Sequence, residues 1–122
     1  MKYLCIGYLN PEKMDARPKE EIEAVMKECA LHMEELDKSG SLILDAGVRA
    51  EVKGVQRENG RIAVLDDPSA NTNERIGSVF FIEADNIEEA IRIASLHPTI
   101  QVAEGERLGW RLEIRPVHYF KN

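Results

Sequence analysis

A chain of 122 residues has the length of one domain and can bury an apolar core without metal or disulfide support. Its 16 basic and 22 acidic side chains leave a net charge of -6, which repels phosphate backbones and anionic lipid and argues against nucleic acid or a membrane surface as partner. No run approaches the roughly 20 apolar residues that cross a bilayer, residues 1–10 are too short and too polar for a signal peptide, and a cytoplasmic protein is expected. Cys5 and Cys29 show no CxxC spacing and read as small core residues rather than a bridge.

Residues 2–9 form a β-rich run in which Tyr3, Cys5, Gly7 and Leu9 alternate with Leu4, Ile6 and Tyr8, so both faces are apolar and the strand is expected to be central. Residues 10–18, with two prolines, read as a loop into a helix that starts at Pro18 with Glu20, Glu21 and Glu23 in its first turns. Ile22, Val25, Met26, Cys29, Met33 and Leu36 recur at helical steps as far as about Ser39, and Gly40 is a natural stop.

Leu42, Ile43 and Leu44 open a second strand, and residues 48–65 read as strands folding back around Glu58-Asn59-Gly60. The basic side chains Arg49, Lys53, Arg57, Arg61 and Arg75 in this region read as a solvated strand face. Residues 66–73 are turn-forming and polar, an expected exposed loop. The run at residues 76–82 is the strongest strand and is expected at the centre of the sheet.

A second helix is expected after it, capped by Asp85 with Glu88, burying Ile87, Ala90, Ile91 and Ala94, and ended by Pro98. Residues 101–109 read as a charged loop. A last strand then alternates Trp110, Leu112 and Ile114 against Arg111, Glu113 and Arg115, with Pro116 marking an edge. The order strand, helix, strands, helix, strand is the ferredoxin-like βαββαβ plan, an α+β fold with both helices on one side of an antiparallel sheet. The other side, expected to carry Leu4, Ile6, Tyr8, Phe80 and Ile82, then needs a cover, and a second copy of the chain is the economical one.

Three segments carry a family resemblance. The opening Met1-Lys2-Tyr3-Leu4-Cys5-Ile6, the helix end Glu34-Glu35-Leu36 before Gly40, and the closing Glu113-Ile114-Arg115-Pro116-Val117 stand in the order and spacing of the YCII-related family, and resemble its DGPF-motif branch most closely. The likeness spans nearly all of residues 1–122 and implies one domain that forms a dimeric α+β barrel, two ferredoxin-like subunits packed sheet to sheet. The Asp-Gly-Pro-Phe motif is half present as Asp66-Asp67-Pro68-Ser69, and the segment that often follows resembles Asn71-Thr72-Asn73-Glu74. Another branch carries a histidine on the first helix and an aspartate before the proline that ends the second. Those positions fall on Ala30 and His97, so that dyad does not carry over.

Candidate chemistry centres on His32 and His97, each at the edge of a helical stripe where it can reach a cleft between helix and sheet, with Asp66 as a carboxylate to orient an imidazole. The plain alternative for each histidine is a half-solvated boundary residue, and for Asp66 and Asp67 a turn-making role before proline. Asp67, Thr72, Glu74 and Arg75 are candidate ligand-binding groups on the same loop. No metal-ligand spacing, P-loop, GxGxxG or nucleophile elbow is present, and no cofactor is indicated. Two functions compete: a small-molecule site in each subunit of a homodimer, with acid–base chemistry open to it, and a non-enzymatic regulatory module, since DGPF-type proteins are often associated with sigma factors. Related barrels include muconolactone isomerases and monooxygenase-like proteins. An enclosed pocket lined by His and Asp favours the first, and the same groups splayed in solvent favour the second.

Overall fold

Residues 1–68 and 72–122 are described by the computed structural model. In chain order the elements are β1 (Lys2–Leu9), α1 (Pro11–Asp15), α2 (Lys19–Lys38), β2 (Leu42–Gly47), β3 (Gly54–Glu58), β4 (Arg61–Leu65), β5 (Arg75–Glu83), α3 (Ile87–Ala94), α4 (Pro98–Gln101), α5 (Gly105–Leu108) and β6 (Arg111–Pro116). Four strands form one sheet in the order β2-β5-β1-β6, every neighbouring pair antiparallel. That is the ferredoxin-like order, with the two strands richest in β-formers at the centre, where both ladder edges are satisfied. No helix among the described residues is long and apolar enough to cross a membrane.

The register assigns side chains to faces. Tyr3 pairs with Ile82, Cys5 with Phe80 and with Ile114, and Gly7 with Leu112. These residues face the helices and build the main core with Leu36 of α2 and Ala90, Ile93 and Ala94 of α3. Phe80 and Ile82 are therefore fully buried under the helices rather than on the open side expected of them. Beyond a break of register between Gly7 and Tyr8 the pairing changes phase, and Tyr8 stands opposite Ile76. The open side carries Leu4 and Ile6 opposite Phe81 and Val79, which in turn face Leu44 and Ala46 of β2. Phe120 from the C-terminal tail sets its ring edge-on against Phe81 at 5.5 Å, with the Lys2 ammonium 5.2 Å above it.

Local corrections have local causes. Residues 10–18 hold a short helix, because Asn10 caps Lys13 N–H and Pro11 suits its first position. The second long helix is capped by Asn86, whose side chain accepts from Glu89 N–H at 2.9 Å, not by Asp85. Its buried side is Ala90, Ile93 and Ala94, while Ile87 and Ile91 lie outside it. Pro98 opens α4 instead of closing α3, and residues 101–109 hold the end of α4 and all of α5 rather than a loop. Leu108 and Val102 from that region form a second core with Val25 of α2, which explains why a charged segment is ordered.

The hairpin of β3 and β4 turns at Asn59 and Gly60, both at positive φ (50° and 76°), as a two-residue turn requires. Its strands pair with each other in a separate sheet, and Val55, Ile62 and Val64 share one exposed face.

Candidate functional site

A cavity of about 280 Å³ lies between α2 and one end of the main sheet. Met26, Cys29 and Met33 descend from α2, Gly7, Asp45, Gly77 and Ser78 come from the sheet, and His97, Pro98, Thr99 and Trp110 close the side. The cavity exists because small residues floor it. A Cβ on Gly7 would stand 2.9 Å from Ser78 Oγ and 3.4 Å from Thr99 Oγ1, so the missing side chain is what leaves the two hydroxyls room. Gly7→Ala should cost about 1 kcal/mol in urea unfolding. Ser78→Ala in the same chain should recover most of it, and a coupling near zero in that double-mutant cycle would show that the two groups do not meet.

His97 is the buried polar residue of the fold among those described, 4 % exposed. Its ring lies flat on Phe80, with centroids 4.5 Å apart and planes 3° from parallel. Thr99 N–H donates to Nδ1 at 3.1 Å, since His97 is the N-cap of α4. A nitrogen that accepts an N–H keeps its lone pair there, so the neutral ring carries its proton on Nε2. Burial pushes the imidazole down to about 4, and His97 is neutral at physiological pH. No described residue accepts a hydrogen bond from Nε2.

Asp45 is the carboxyl of the cavity wall. It pairs with Phe80 across β2 and β5, which places it beside the ring on which His97 stacks. Desolvation raises its pKa, and a hydrogen bond from Ala46 N–H partly offsets that. Burial also raises the Cys29 thiol, with the Glu28 charge adding to the effect, and holds the Cys5 thiol up at about 12, so neither is a ready thiolate. Asp45 escaped sequence reading because a lone aspartate in a short edge strand has no spacing signal. Only the register with Phe80 brings it to the cavity.

The residues expected from sequence divide among three places. His97 lines the cavity, whereas His32 and Asp66 do not. His32 sits on α2 with Nε2 3.6 Å from Glu28 one turn back. Asp66 is 93 % exposed at the foot of β4 and pairs with Lys53 Nζ at 2.7 Å, beside a shallow groove lined by residues 50–53 and Asp67. Asp67, Thr72, Glu74 and Arg75 come together, but through contacts with one another and with the sheet. Arg75 donates to Asp67 Oδ2 at 3.3 Å and to the carbonyls of Thr72 and Glu74, and Thr72 Oγ1 accepts from Glu74 N–H at 3.1 Å. Ser69, Ala70 and Asn71 of the half-motif and its following segment lie outside the described residues.

Glu74 also receives both sides of the Arg111 guanidinium, at 2.7 and 2.9 Å, and Arg111 and Arg115 flank Glu113, to which Tyr8 donates its hydroxyl at 3.0 Å. Arg115, then Arg111, then Tyr8 hold the Glu113 carboxyl down at about 2. This charged ladder, with Arg111 4.1 Å over the Tyr8 ring, borders the open face of the sheet along β6. Among the described residues no three His, Cys, Asp or Glu side chains converge on a metal position.

No curated protein matches the chain. The family model of the YCII-related domain matches residues 1–109. With that match covering most of its length and the ferredoxin-like sheet in place, the chain belongs to the YCII-related family.

Proposed function

We propose that the protein binds a small molecule in the cavity beneath α2, with His97 as its central polar group, in each subunit of a homodimer joined through the open sheet face. The observation that carries the reading is the enclosure of His97: a histidine held flat between Phe80 and a backbone cap, lining a cavity that Asp45 also lines. A regulatory module would have its histidine and carboxylates in solvent. Asp66 fits that description and His97 does not. Nδ1 accepts from Thr99 and burial keeps the ring neutral, so His97 works as a hydrogen-bond donor rather than as a proton acceptor. His32 and the loop of Asp66, Asp67, Thr72, Glu74 and Arg75 take supporting parts in this reading, the loop by tying the start of β5 to the sheet.

A fragment screen followed by ¹H–¹⁵N NMR tests the site. Binders should move the amides of Gly7, Ser78 and Thr99 together with the indole N–H of Trp110, the one tryptophan of the chain. Hits that cluster elsewhere, or none at all, would remove the reading.

The dimer is supported by the row Leu4, Ile6, Val79, Phe81, Leu44 and Ala46, which lies on the side of the sheet away from both core clusters. Phe81→Asp should weaken self-association at least about a hundredfold, because a carboxylate without a partner resists desolvation. Sedimentation velocity checks it, and wild-type protein that sediments as a monomer would exclude the dimer.

A further inference from the structure

The cavity beneath α2 is lopsided in its chemistry. Its walls are largely thioether, aliphatic and aromatic, with Met14, Met26 and Met33 on the helical side, and such side chains repack around a ligand of any modest shape. Its ionisable groups are Tyr8, Cys29, Asp45 and His97, and among the described residues no lysine or arginine lines it. What it offers instead is an N–H donor. The Nε2–H of His97 finds no acceptor among the described residues, and its direction is set by the flat stack on Phe80 and the Thr99 cap on the opposite nitrogen. Trp110 lines the same wall, but its indole Nε1, which has no acceptor among the described residues, is buried and closed to a ligand in the cavity. Polar groups of buried residues are paired in nearly all native proteins, and an imidazole N–H left without a partner on a cavity wall asks for an oxygen acceptor.

We infer that the cavity takes a compact, uncharged and mainly apolar molecule bearing one carbonyl oxygen, which accepts from His97 Nε2–H, while Asp45 turns carboxylates away. This rests on the small-molecule reading of the same cavity and adds the ligand class to it. The volume, about 280 Å³, lies at the small end of ligand pockets and suits a single ring with a short substituent. A carboxylate entering it would leave water for walls without a counter-charge and would meet the carboxyl of Asp45. An ammonium would find Asp45 at the wall but would set its own N–H groups against that of His97. A pure hydrocarbon would fill the space and leave the His97 donor unpaired. Of the four, the carbonyl compound alone satisfies the His97 donor without bringing a charge.

Four probes of nearly one shape separate these cases: acetophenone, ethylbenzene, benzoate and 1-phenylethylamine, titrated into the wild-type protein at neutral pH and followed by ¹H–¹⁵N NMR at the His97 imidazole and the Trp110 indole. Acetophenone is expected to bind about tenfold more tightly than each of the other three, the factor one hydrogen bond supplies. Its binding should shift His97 Nε2 while Nδ1 stays unprotonated. Ethylbenzene within twofold of acetophenone would show that no donor is used. Benzoate or the amine as the best ligand would show that charge selects the occupant. Either result overturns the ligand class and leaves the cavity site standing, whereas failure of all four to move these resonances overturns the class and the site together.

His97→Asn keeps a side-chain oxygen for the Thr99 cap and removes the Nε2 donor. The preference for acetophenone over ethylbenzene should then fall from about tenfold to about onefold, and a preference that survives would assign the donor elsewhere. Asp45→Asn should bring benzoate closer to acetophenone, and unchanged rejection of benzoate would overturn the role given to Asp45. If the His97 variant does not fold, the wild-type ranking still decides.

Discussion

Phe80→Ala should destabilise the fold by about 3–5 kcal/mol, the cost of removing a fully buried aromatic side chain from a core that cannot close over the gap. Phe80 sits at the crossing of three relations. It pairs with Cys5 on one side and with Asp45 on the other, and its ring is the platform on which His97 lies. The substitution should therefore do more than lower stability. With the platform gone, water reaches the imidazole, and its pKa should climb from about 4 back toward the ordinary 6.5. Phe80→Leu, which keeps most of the volume, should cost less than about 2 kcal/mol. Urea unfolding of both variants, with the histidine titration followed by NMR, checks the pair. A Phe80→Ala protein whose His97 stays neutral down to about pH 4 would show that the stack does not shelter the ring.

Stability should fall by about 3 kcal/mol as the pH drops from about 6.5 to about 4, through His97 alone. The native imidazole titrates at about 4 because it is desolvated, against 6.5 for the free group. Above both values neither state binds the proton, and the full stability is present. Between them the unfolded chain takes up a proton that the native protein refuses, so the balance tilts toward unfolding as the pH falls. In His97→Asn this slope should be absent between about pH 6.5 and about pH 5, whatever the absolute stability of the variant. A second loss is expected at lower pH, where Glu113, held at about 2 by Arg115 and Arg111, contributes stability that disappears between the ordinary carboxylate range and that value. Unfolding curves across the range distinguish the two windows. An equal slope in wild type and His97→Asn between about pH 6.5 and 5 would mean that His97 is not the group refusing the proton.

Much of the architecture was legible because local patterns and the fold agree. The stripe from Ile22 to Leu36 covers the buried side of α2, the turn at Asn59-Gly60 lies where positive φ demands it, and the run around Phe80 is a central strand. The errors fall where local pattern is silent about phase. Four consecutive β-formers, Val79 to Ile82, suit either face of a sheet, so alternation could not tell that Phe80 and Ile82 lie under the helices while Val79 and Phe81 lie open. Residues 101–109 carry too many charges to suggest order, yet Val102 and Leu108 anchor them against Val25.

The site divides in the same way. His97 was visible from sequence as a histidine beside a proline near an apolar stripe, and the strand and helix order placed it near the sheet. The residues that surround it in the cavity were not visible, because they are brought there by the tertiary structure. Phe80 stacks on it from β5, Asp45 joins the cavity by pairing with Phe80 from β2, and Trp110 lines the cavity from just before β6. Asp66 and the loop after it looked as suitable by composition, but tertiary structure directs Asp66 to Lys53 and Glu74 to Arg111. Composition, periodicity and turn chemistry act over a few residues, and they determined the fold class, the order of the strands and the two long helices, and the central strands. Which carboxyl lines the cavity with the histidine, and which face of each strand meets a helix, depend on register between segments dozens of residues apart, and only the folded sheet decides them.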